Sequence, residues 1–124
     1  INVFSDLIPV VVHEGGHAKD YATRQRKTLY SLSYSIPLAP FYQEAIASED
    51  AMDYFYEKDD KENQIKAYKL LSPAYGTYIG GELVPISIGA IIMAIPGHIY
   101  GRIKAYKLRK KFALDKKANE ATEK

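Results

Sequence analysis

The chain has 124 residues, 47% of them hydrophobic, and its 17 Lys and Arg against 15 Asp and Glu leave a net charge of only +2. That length suits one modest domain and leaves no room for a second, and so small a net charge excludes a general electrostatic affinity for nucleic acid. Cysteine is absent, which excludes disulfides and thiolate-held zinc and leaves the redox compartment open. Residue 1 is Ile rather than Met, which reads as a processed or truncated start from which a signal peptide or an upstream span has room to be missing.

In chain order, residues 1–6 form a lead-in whose Ser5 or Asp6 is placed to cap a helix that starts near Leu7 and runs to about Lys27. This helix carries the densest chemistry of the chain. The apolar run 7–12 feeds into His13-Glu14-Gly15-Gly16-His17, which holds two of the three histidines. Residues four apart share a helix face, so His13 and His17 can aim both imidazoles at one point, with Glu14 one position round beside it. That is the H-E-x-x-H zinc motif. Neutral imidazoles are good zinc ligands, and a zinc-bound water beside a carboxylate becomes a nucleophile near neutral pH, so Glu14 is the expected general base. Gly15 and Gly16 each cost about 1 kcal/mol relative to Ala in a helix, and their use is to let a substrate or another backbone approach the metal face.

Residues 19–27 turn polar and basic, and residues 28–43 are uncharged, broken by Pro37 and Pro40. The second stretch suits a re-entrant or interfacial hairpin, or a buried loop. A helix follows over residues 41–56, with Ala47, Ala51, Tyr54 and Phe55 recurring at three- and four-residue steps. Zinc held by two histidines needs a third protein ligand, often a carboxylate; this helix offers Glu44, Glu49, Asp50 and Asp53.

Residues 57–69 read as a charged connector and a short amphipathic helix toward Leu71. Gly76 with Gly80, and Gly97 with Gly101, stand at a spacing that lets helices pack closely, although the 72–76 stretch suits looser turns equally well. Residues 83–101 contain no formal charge, and residues 70–81 before them contain none either, with Glu82 alone between. A run of that length is about what a bilayer-crossing helix needs, so a span is expected over about 83–101. Tyr100 and Tyr106 are placed as interfacial aromatics, and the basic residues from Arg102 to Lys117 lie on the cytoplasmic or matrix side, where they attract anionic lipid. Pro85, Gly89, Pro96 and Gly97 make the alternative a buried, kinked core helix. His98 lies inside this run and is a functional candidate if the run is in a membrane. The tail 102–124 is helix-prone and basic. The 11 tyrosines are dispersed, and core or interface packing accounts for them.

H-E-x-x-H followed by a glutamate on a later helix is the layout of the gluzincin metalloproteases. The second helix, Glu44-x-x-Ala47-Ser48-x-x-Ala51, resembles the E-x-x-A-D-x-x-A signature of the membrane-embedded prenyl-protein protease and heat-shock membrane protease family. The resemblance covers residues 7–56 and implies His13, His17 and Glu44 as zinc ligands with Glu14 as base. Ser48 stands where the pattern has Asp, a residue that supports a ligand histidine. Glu44 is favoured over Glu49, Asp50 and Asp53 because it adjoins the apolar segment and begins that pattern, whereas the others fall on an acid-rich face.

The expected fold is therefore all-α: a small helical membrane-associated protein with an H-E-x-x-H helix and a second ligand-bearing helix. Residues 1–101 form a metalloprotease-like domain and residues 102–124 a basic tail. The expected function is zinc-dependent hydrolysis of a peptide or protein substrate at a membrane lipid surface. The competing reading is a small non-catalytic membrane subunit that packs against larger membrane proteins and keeps a vestigial or structural metal site. A di-iron bundle would need a second Glu-x-x-His beside Glu14-x-x-His17, and the chain has none.

Overall fold

The computed structural model describes residues 6–33, 35–36, 39–83 and 87–122, with the side chains of 81–83 and 87–88 excepted. The described residues form five helices and no strand: α1 Ile8–Thr23, α2 Lys27–Ser33, α3 Ala39–Glu57, α4 Lys61–Leu83 and α5 Ser87–Thr122. The all-helical expectation holds.

α1 begins after Leu7, which makes no side-chain cap, and Pro9 in the first turn replaces a donor that has no intrahelical partner there. Asp6 does not cap it, and Ser5 lies outside the described residues. The helix stops at Thr23, short of Lys27, and the segment expected to be a loop or hairpin contains the separate helix α2. α3 then starts with Pro40 in its first turn, where proline is tolerated. Between α3 and α4, Asp59 takes a positive φ of 50°, a conformation that Asp adopts more readily than most residues. Asp60 then caps α4 by accepting from the Asn63 backbone at 3.0 Å and from its side chain at 2.7 Å.

In the second half of the chain, the turn alternative for residues 72–76 does not hold, because α4 runs through Pro73. Of the span expected over about 83–101, residues 84–86 lie outside the described residues. The part of that stretch in α5 continues through Pro96 into the basic tail, and no helix among the described residues is long and apolar enough to cross a membrane. Residues 87–101 rise only about 22 Å at about 1.5 Å per residue, against a hydrocarbon core of about 30 Å. The basic tail is the same helix, not a separate element.

The glycine pairs serve close packing. A Cβ at Gly76 would meet Met93 backbone, one at Gly80 would meet Gly89, one at Gly97 would meet Ser72 and Pro73, and one at Gly101 would meet Tyr68. α4 and α5 therefore lie antiparallel with their backbones nearly touching. The core against this pair is built of small residues, with Ala47, Ala51 and Ala67 fully buried around Phe55 and Leu71.

Candidate metal centre

α1 and α3 position the site. Their approach is fixed at Gly16, where an added Cβ would stand 2.9 Å from both Cα and O of Ala47; only a residue with no side chain lets α3 come this near. His13, three residues earlier, then meets Glu44, three residues before Ala47. His13 Nε2 is 3.1 Å from Glu44 Oε2, and His17 Nε2 is 3.3 Å from Glu44 Oε1. The two imidazoles stand edge to face, with centroids 4.8 Å apart.

This is a metal-sized group: one ligand atom from each of His13, His17 and Glu44 lies within 4.8 Å of the others. The two short distances end on different oxygens of Glu44, Oε2 toward His13 and Oε1 toward His17. The donor chemistry agrees. A neutral imidazole nitrogen facing a carboxylate oxygen needs a proton or a cation between them, and one cation would satisfy both histidines together. Ser48 Oγ is 3.2 Å from His13 Nδ1. The tautomer in which Nδ1–H donates to that hydroxyl leaves the Nε2 lone pair free for a cation. His17 Nδ1, in contrast, is buried with no hydrogen-bond partner among the described residues.

Without a cation the group is an ion pair. The hydrogen bond to Glu44 raises the pKa of His17 above its ordinary 6.5; burial opposes this, and the negative charges of Glu44, Glu14 and Asp20 reinforce it. Burial pushes Glu44 upward, but the hydrogen bonds and charges of His13 and His17 outweigh it and hold the carboxyl at about 2.

Glu14 is only partly buried, one position round α1 from His13. Its charge reaches both His17 and Tyr78. Of the other acids considered, Asp50 is tied to Lys19 at 2.6 Å, while Glu49 and Asp53 are exposed; none joins the group. His98 is exposed on α5 and joins no ligand set. Tyr78 on α4 was not distinguishable in sequence from the other tyrosines. Burial, followed by the charges of Glu44 and Glu14, pushes its phenol up, which sets its hydroxyl within electrostatic reach of both carboxylates.

An open pocket lies beside other elements. A cavity of about 520 Å³ between α3, α4 and α5 is lined by Ser48, Met52, Leu71, Tyr75, Met93 and others, but by no described residue of α1.

No family model, no curated protein and no solved structure matches this chain.

Proposed function

We propose that the chain is a zinc-dependent metallopeptidase in which His13, His17 and Glu44 hold the metal and Glu14 is the general base. One observation carries this reading: both imidazole Nε2 atoms converge on the two oxygens of Glu44, at 3.1 and 3.3 Å, and Glu14 follows His13 on the same helix. Two nitrogens and one carboxylate form the donor set of catalytic zinc, which leaves a coordination position open. Bound zinc supplies a Lewis acid that polarises a carbonyl and lowers the pKa of a water to about 7. The chain's own contribution is proton transfer and orientation. Glu14 accepts the proton from the attacking water and returns it to the departing amine, while Ser48 fixes the ring of His13. The likeness of residues 7–56 to the membrane-embedded prenyl-protein and heat-shock membrane proteases supports the same assignment.

A second reading, a non-catalytic membrane subunit with a structural metal site, draws support from His17 Nδ1, which is left unpartnered, and from Ser48 in the position of an acid. Metal analysis and peptide hydrolysis on the wild type, Glu14→Gln and Glu44→Ala separate the two. The enzyme reading expects one zinc per chain in the wild type and Glu14→Gln, none in Glu44→Ala, and hydrolysis in the wild type alone. Zinc with no hydrolysis in the wild type would favour the subunit. No metal in freshly prepared wild type would remove the enzyme.

A further inference from the structure

The packing registers sort the chain's charges to one end of the bundle. His13 meets Glu44, Gly16 meets Ala47 and Lys19 meets Asp50, so α1 and α3 run in the same direction. Gln64 Nε2 donates to the Phe55 carbonyl at 3.1 Å across the α3–α4 turn, so α4 runs back along α3. The glycine contacts then turn α5 against α4. The starts of α1, α3 and α5 therefore share one end with the finish of α4. Gln43 Nε2 donates to Ser33 Oγ at 2.7 Å and brings the end of α2 to the same place.

The described parts of the uncharged stretches 7–12, 28–43, 70–81 and 83–101 lie toward that end. The formal charges there, outside the metal group and Glu14, are the exposed Asp6 and Glu82, a residue of α4. The opposite end carries the acid-rich second half of α3, Lys61 to Lys69 of α4, and α5 from Arg102 onward.

The uncharged end is not covered by the chain. Leu7, Ile8, Ile91, Ile92, Ile95 and Ile99 are each 51–65% exposed. On α5 the face against α4 carries Gly89, Met93, Gly97 and Gly101; at 3.6 residues per turn, Ile91, Ile95 and Ile99 stand on the opposite face. An exposed apolar helix face such as the one Ile91, Ile95 and Ile99 form on α5 marks a contact with something apolar. Its border has a sign. Gly101 lies against Tyr68, so Lys66 and Lys69 of α4 stand level with Arg102 and Lys104 of α5, and Lys104 Nζ lies over the Tyr100 ring at 5.6 Å. Lys107, Arg109, Lys110 and Lys111 continue along α5. The acids near this level are Glu49, Asp50 and Asp53 of α3 and Glu62 of α4; Asp50 is paired with Lys19 and Glu62 with Lys66 at 2.6 Å, which leaves Lys69, Arg102 and Lys104 to set the sign of the border.

From this arrangement we infer that the uncharged end of the bundle seats in one leaflet of an anionic bilayer, without crossing it, and that the α4–α5 basic residues lie among the headgroups. Apolar contact supplies insertion, and the basic border supplies the preference for anionic lipid. The uncharged part of α5 rises about 22 Å, short of a hydrocarbon core of about 30 Å, and fits within one leaflet when the helix lies tilted toward the membrane plane. The inference does not depend on metal binding. Its consequence for the site is one of place: His13 and Glu44 lie in the first halves of α1 and α3, toward the apolar end of the bundle.

Vesicle flotation of the full chain tests it, using phosphatidylcholine vesicles with and without phosphatidylglycerol at low and high salt. The expected result is flotation that favours the phosphatidylglycerol vesicles and persists in part at high salt. Ile95→Glu with Ile99→Glu should lower partitioning by about tenfold or more, and Arg102→Gln with Lys104→Gln should reduce the preference for anionic vesicles while retaining binding. All four side chains are half-exposed or more except the partly buried Lys104, and unchanged helical circular dichroism would confirm folding, with Ile95→Ala as a milder control. Three outcomes would overturn the inference: no flotation with either vesicle, binding abolished entirely by salt, or a stable dimer whose Ile95 is protected from labelling in the absence of lipid.

Discussion

Ser48 Oγ stands 3.2 Å from His13 Nδ1, one helical turn beyond Glu44 on α3, so a single helix face supplies both the carboxylate of the candidate metal group and a hydroxyl against one of its histidines. A hydroxyl raises imidazole basicity less than a carboxylate would. Ser48→Asp should therefore tighten zinc binding by roughly 10- to 100-fold, and Ser48→Ala should weaken it by a similar factor. Chelator-competition titration measures both. Equal affinities in wild type, Ser48→Asp and Ser48→Ala would show that this contact does not tune the metal.

Gly15 and Gly16 are neighbours with opposite surroundings. An added Cβ at Gly15 meets nothing within 4 Å, whereas at Gly16 it meets the backbone of Ala47 at 2.9 Å. Gly15→Ala should stabilise α1 by about 0.5–1 kcal/mol through helix propensity. Gly16→Ala should cost about 1–3 kcal/mol by overpacking, and by forcing α1 from α3 it should also weaken metal binding. Urea unfolding and zinc titration on the two variants should move in opposite directions for stability.

The site was legible because its elements are local. His13 and His17 share a face by helix geometry alone, and Glu44 begins a helix whose period is plain. What brings Glu44 to them is not local: the common direction of α1 and α3 depends on α2, which the Pro37 and Pro40 breaks conceal. Pro73 left a turn and a packed helix equally open. Local propensity costs a proline about 3 kcal/mol in a helix interior, yet α4 runs on through Pro73 and α5 through Pro96, with Gly97 against the backbone of Ser72 and Pro73. Tertiary contact overrides propensity there. The described part of the uncharged run, residues 87–101, is the first part of a helix that continues into the basic tail, and no helix among the described residues is long and apolar enough to cross a membrane.

The choice of third ligand can be tested without any assay of catalysis. Asp50 is engaged with Lys19, whose side chain is 66% exposed, and exposed pairs contribute little to stability. Asp50→Asn, Glu49→Gln and Asp53→Asn should each leave one zinc per chain and nearly unchanged unfolding, whereas Glu44→Gln should lose the metal. Metal analysis after gel filtration decides between them. Loss of zinc in Asp50→Asn with retention in Glu44→Gln would move the ligand set along α3.

The ion pair between His17 and Glu44 makes the metal-free chain respond to pH on two sides. Glu44 is held at about 2 against an ordinary 4.5, so its contribution to stability is present above 4.5 and is lost as pH falls from there toward 2. The size is on the order of 3 kcal/mol. His17 is shifted the other way, above 6.5; its contribution is complete below 6.5 and is lost as pH rises through the raised value. These two groups together place the stability maximum of the metal-free chain between 4.5 and 6.5. Zinc reverses the upper limb, because it binds the neutral imidazole and displaces the proton that His17 holds. Unfolding by urea across this range, with chelator and with zinc, should show the metal-free curve falling above the His17 transition while the zinc curve rises through it. A metal-free curve that stays flat from acid to alkaline pH would mean that His17 and Glu44 are not paired in solution, and Glu44→Gln should flatten the wild-type curve on both sides.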